Sequence, residues 1–200
     1  MAGREINKHL TCFFILLVIY LYQERGDNVK DYLMNAYHYI KQLVRHVNNW
    51  KDIDEVNDAL GKVFWDCGVH ATLEYGIARM VVVGPDFVFK WNYDESCAIE
   101  VGGCEEEFNK YKSCLSSGYS YLLAPVYRIN YSAKFFYIMP KIENIGDRAH
   151  GYKPIEYFLS NEEYLWIKEQ VGDLHSYNWG LMKGKPVVID YACNPNFGDS

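Results

Sequence analysis

Three side chains near the C-terminal end of the chain have types and spacings suited to phosphate chemistry. Asp173 is followed five residues on by Asn178, and seventeen residues past Asp173 stands Asp190, closing the apolar run Pro186-Val187-Val188-Ile189. Phosphoryl transfer needs such a set. One carboxylate orients or accepts the proton of an attacking hydroxyl, while a carboxamide and a second carboxylate hold the divalent metals that bridge the phosphates. Read singly, Asp173 is also an ordinary turn cap. His175, inside the same stretch, is read as a structural hydrogen-bonding group rather than a base.

These residues need elements that bring them together. The run Asn161 to Val171 reads as a helix, and Trp179–Leu181 and Val187–Asp190 flank a Lys183-Gly184 turn, so a loop and a hairpin return Asp190 towards Asn178. Upstream, two runs rich in β-branched and aromatic residues, Ala78–Val83 and Phe87–Trp91, flank Gly84-Pro85-Asp86 and predict a second hairpin carrying Lys90. Glu105 to Leu115 predicts a helix, and Tyr121–Asn130 and Phe135–Met139 predict two more strands joined near Tyr131-Ser132. Towards the N-terminus, Val29, Leu33, Ala36, Tyr37, Ile40, Leu43 and Val44 recur at three- and four-residue spacing, with Asp27 or Asn28 as a cap, and a shorter helix covers Ile53 to Phe64. Strands and helices are partly segregated, so the fold class expected is α+β rather than a doubly wound sheet.

The pattern D-x-x-x-x-N, a hairpin, then I-D resembles the catalytic loop and metal-binding Asp of protein kinases and of aminoglycoside-phosphotransferase-like kinases; Asp173-Leu174-His175-Ser176-Tyr177-Asn178 is especially similar to short bacteriophage serine/threonine kinases. The resemblance spans roughly residues 70 to 191. It implies that Asp173 is the catalytic Asp, and that Asn178 and Asp190 hold the metal. It implies that Lys90 contacts the α- and β-phosphates and that a carboxylate of the acidic helix pairs with it. Glu107 is expected there, because Phe108, Tyr111 and Leu115 can pack inward beside it, with Glu106 as second choice. Gly76 and Arg79 fall where a phosphate-covering loop belongs, and Met139 with Lys141 where a hinge would meet adenine. The implied architecture is a kinase-like N-lobe sheet with a minimal, truncated C-lobe (71–200) and a helical N-terminal extension (1–70). The implied activity is ATP- and Mg²⁺-dependent transfer to Ser/Thr of a protein, by a phage protein acting on host proteins in the host cytoplasm. Two alternatives remain: a pseudokinase that grips a host protein, and a small-molecule phosphotransferase.

The chain departs from that family in several places. Val171 stands where a His precedes the catalytic loop, Asp190-Tyr191-Ala192 replaces D-F-G, and one clear glycine, Gly76, stands where three are usual. Only ten residues follow Asp190, leaving no A-P-E segment or large helical C-lobe. The helical first 70 residues are expected to supply the support that lobe would give.

Composition sets wider bounds. Half of the 200 residues are apolar and 16% are aromatic, enough for a sizeable core and unlike a disordered chain. A net charge of -6 disfavours broad binding to nucleic acid. None of the six cysteines forms a C-x-x-C pair, so reduced thiols are expected rather than a zinc site or a disulfide framework. The apolar run Leu10 to Tyr22 is 13 residues long, short of the roughly 20 that cross a bilayer, and is read as a buried helix or strand, so no membrane span is expected.

Overall fold

A computed structural model describes residues 29–94, 96–98, 103–144, 155–171, 174 and 178–191. The apolar run Leu10 to Tyr22, the helix cap at Asp27 or Asn28, Cys12, Cys193, Asp173 and His175 lie outside the described residues.

The architecture is mixed α+β. Helices α1 (Val29–Leu43) and α2 (Ile53–Val63) come first. Strands β1 (Thr72–Tyr75), β2 (Arg79–Val83) and β3 (Phe87–Asn92) follow, then helix α3 (Cys104–Cys114) and strands β4 (Tyr127–Tyr131) and β5 (Lys134–Pro140). These strands form one antiparallel sheet in the order β1-β2-β3-β5-β4. A second, three-stranded antiparallel sheet joins β6 (Glu143–Asn144), β7 (Trp179–Met182) and β8 (Lys185–Val188), with helix α4 (Asn161–Val171) preceding β7 in the chain.

Alternation along each strand sends side chains to opposite faces of the large sheet. Phe87, Phe89 and Trp91 of β3 join Met80, Val82, Phe136 and Ile138 on one face. That face packs against Leu33, Ile40 and Leu43 of α1 and Val56 and Leu60 of α2. Each such side chain, taken wholly out of water, contributes about 1.5–3 kcal/mol. Val88, Tyr137 and Met139 face the other way, into a second core with Tyr111, Ile167, Trp179, Val188 and Tyr191. The N-terminal helices therefore back the large sheet on the face away from the small one. Their apolar stripe is matched by the aromatic face of β3.

Two local expectations are corrected. Tyr121 to Val126 is not strand: Ser120–Leu122 forms a 3₁₀ turn, and β4 begins at Tyr127. Pro125 has no N–H to give a ladder, and the Ala124 N–H instead reaches the Val188 carbonyl at 2.8 Å. Strand β1, not foreseen, extends the hairpin as an edge strand, with Tyr75 opposite Met80. Among the described residues, no helix is long and apolar enough to cross a membrane.

Candidate functional site: a cleft between the two sheets

Covering both faces of the large sheet buries the one charged side chain on β3. Lys90 is only 5% exposed, and its Nζ donates to Glu107 Oε2 at 2.6 Å, with Glu107 fully buried. The pairing is built locally. Asn92, two residues past Lys90, accepts the Cys104 N–H at 3.0 Å and pins the first turn of α3 to the end of β3. Gly103 allows this close approach, since a Cβ there would lie 2.9 Å from the Ala98 Cβ. One helical turn on, Glu107 reaches Lys90. Glu105 on the same turn accepts from Arg128 of β4 and from the Tyr137 hydroxyl of β5. Two of the three consecutive glutamates thus fasten the helix to the sheet instead of forming a solvated face.

Burial pushes the Glu107 carboxyl above its ordinary range; Lys90 opposes the shift, and the nearby Asp190 adds to it. Glu107 Oε1 has no hydrogen-bond partner among the described residues. Burial also pushes the neighbouring Cys104 thiol up to about 12, which keeps it an unreactive thiol at neutral pH.

A cleft of about 610 Å³ opens between the sheets. Gly76 lines it from the β1–β2 turn, Arg79 from the start of β2, Lys90 from β3, Met139 from the end of β5 and Lys141 from just beyond it, and Asn178 and Asp190 from the segments bordering β7 and β8. Every described site residue expected from sequence therefore reaches this one cleft or, as Glu107 does, stands directly behind it. Asp173 lies outside the described residues.

The Asp190 segment is tied down on several sides. The Ile189 N–H donates to the Asn178 carbonyl at 2.7 Å and the Asp190 N–H to the same oxygen at 3.4 Å. Lys110 of α3 donates to the Tyr191 carbonyl at 3.0 Å, and the buried Tyr191 hydroxyl donates to the Ala124 carbonyl at 2.6 Å. Lys110 and Tyr191 have no signal in the spacing of charged residues; their role comes from packing alone.

Two features depart from expectation. The phosphate-covering loop is instead a tight turn: the Gly76 N–H donates to the Arg79 carbonyl at 2.9 Å. The Tyr93 hydroxyl donates to the Gly76 and Ile77 carbonyls at 3.0 and 2.7 Å and clamps it. With Tyr75 paired to Met80, the four residues Gly76 to Arg79 make the whole connection. Second, Arg79 spans the cleft, its two terminal nitrogens donating to the two carboxylate oxygens of Asp190 at 3.2 and 3.3 Å. Burial works against the Arg79 charge, but the Asp190 and Glu107 carboxylates outweigh it and hold its pKa above the ordinary value.

Among the described residues, no group of three or more His, Cys, Asp or Glu side chains is arranged to hold a metal ion. Asn178 and Asp190 are hard oxygen donors lining one cleft, the kind of partial set that suits magnesium when phosphates and water complete its shell. Asp190 would first have to exchange Arg79 for the ion. Compared with known proteins, the chain matches no family model, no curated protein and no solved structure.

Proposed function

We propose that this chain is a minimal protein-kinase-like phosphotransferase that binds ATP in the cleft between its two sheets. One observation carries the reading: Lys90, ion-paired to the buried Glu107, lines the same cleft as Asn178 and Asp190. A buried charge pair is weak evidence for stability, because desolvation offsets most of its attraction. A lysine held by a buried carboxylate at the wall of a cleft is better explained by work on an anion. In this reading the five-stranded sheet with α3 corresponds to a kinase N-lobe, and the small sheet to what remains of the C-lobe.

The residues divide the task by chemistry. Lys90 and Arg79 supply cationic donors to the phosphates. The apolar side chains of Val81, Val88 and Met139 give a base a dry surface. Asn178 and Asp190 would hold magnesium, which when bound neutralises charge on the transferred phosphoryl group. Asp173 would orient the acceptor, a serine or threonine hydroxyl of a protein partner, in a phage-encoded enzyme working on host proteins in the host cytoplasm.

Incubation of the pure chain with labelled ATP, magnesium and lysate proteins tests this. Label is expected on the chain itself or on a lysate protein, and Asp190→Ala is expected to abolish it while the far-UV circular dichroism stays unchanged. Label transfer at the wild-type rate by that variant would refute the assignment.

The second reading is a pseudokinase that grips a host protein. The Arg79–Asp190 pair favours it, because the fork of Arg79 already occupies the carboxylate a metal needs. No transfer, together with a tight partner in a pull-down, is the outcome that selects this reading.

A further inference from the structure

We propose that the Arg79 guanidinium takes the bridging position of a divalent ion between Asp190 and a nucleoside triphosphate, so that the cleft binds the triphosphate without metal. This rests on the nucleotide reading above and adds to it that metal serves transfer and not binding.

What a metal does in such a site is connect a protein carboxylate to phosphate oxygens. A guanidinium can make the same connection, because it carries five N–H donors in a rigid plane. Two of them, one on each terminal nitrogen, are spent on Asp190. The other three engage no partner among the described residues. The Lys90 ammonium has three donors and gives one to Glu107. Both cations line the cleft. A triphosphate laid between them therefore meets donors that are already oriented, at little ordering cost.

Two further observations point the same way. The turn before Arg79 is closed by its own hydrogen bond and by Tyr93, which spends the Gly76 N–H inside the turn and leaves the side-chain donors of Arg79 and Lys90 a larger share of the work. The backbone that carries Asp190 is held in place, because its neighbours on both sides are hydrogen-bonded to Asn178, Lys110 and Ala124. A magnesium ion would have to break a two-pronged pair whose arginine side chain is only 22% exposed.

Titration calorimetry with ATP, in excess EDTA and in excess magnesium, decides the matter. The wild-type chain is expected to bind with dissociation constants that agree within about threefold in the two conditions. Arg79→Met is expected to lose about tenfold or more in EDTA, the size of a charge-assisted contact, and to recover with magnesium because the arginine no longer competes with the ion for Asp190. Arg79→Lys keeps the charge without the fork and is expected to weaken EDTA binding as well, which covers the case of a poorly folded methionine variant. Wild-type binding only with magnesium, or unimpaired EDTA binding by both Arg79 variants, overturns the inference and leaves the nucleotide reading standing. Wild-type binding in neither condition overturns the nucleotide reading and the inference with it.

Discussion

At the scale of single residues the Lys90–Glu107 pair has a testable energetic signature. Removing one partner of a buried pair typically costs about 3–5 kcal/mol, because a charge is left behind without compensation. Here the cost has an outlet. Burial has already pushed the Glu107 carboxyl upward, and Lys90 is what opposes that shift. In Lys90→Met the opposition disappears, and Glu107 takes up a proton more readily. A carboxyl whose folded pKa lies above its unfolded value contributes stability that is complete below the unfolded pKa and lost as pH rises through the folded one. Urea denaturation is therefore expected to show a smaller loss for Lys90→Met at pH near 5 than at pH near 8. An equal loss at both would mean that Glu107 stays ionised beside an apolar neighbour. The same variant is expected to bind ATP more weakly by calorimetry at both pH values.

At the scale of elements, the small sheet holds the Asp190 end of the cleft, and its integrity depends on one close approach. A Cβ at Gly180 of β7 would lie 2.4 Å from the Glu143 carbonyl oxygen of β6, a backbone atom that cannot move without breaking the ladder. Gly180→Ala is expected to destabilise the fold by about 1–3 kcal/mol, the usual range for an overpacked site. It is also expected to weaken ATP binding, since β7 and β8 run on into Asn178 and Asp190. Chemical denaturation and calorimetry on the one variant check both; full stability would show that β6 and β7 can separate freely. The turns at this scale are less visible in sequence. Ser132 and Ala133, between β4 and β5, both have positive φ, at 54° and 63°. A two-residue hairpin of that kind is usually signalled by Asn-Gly. Lys183-Gly184, with φ of 54° and 75°, carries half of that signal.

At the scale of the whole molecule, α1 and α2 share one core with the large sheet. Ile40 of α1 is fully buried against that sheet. Ile40→Ala is expected to cost about 2–5 kcal/mol, by lost transfer energy and a residual cavity. Unfolding followed by tryptophan fluorescence and by far-UV circular dichroism is expected to stay coincident, as one cooperative unit requires. Two separated transitions would show that the helices fold apart from the sheet they cover. The cleft should feel the loss only through global stability, because α1 lies on the opposite face of that sheet.

Local chemistry was enough to announce most of the elements and the order in which the charged residues occur. The spacing of Asn161 to Val171 predicts the helix found there, and Gly84-Pro85-Asp86 marks the turn between β2 and β3. Inward-facing Tyr111, one turn after Glu107, makes that glutamate the partner to expect for Lys90. These signals are legible because they depend on neighbours within a few residues. Tertiary structure alone decided that Arg79 meets Asp190 across 111 residues of chain, that Tyr93 closes the Gly76 turn, and that the N-terminal helices back the sheet instead of flooring the cleft. Contacts of that kind follow from strand register and from which apolar face finds which, and a one-residue change of register would send every one of those side chains to the opposite face.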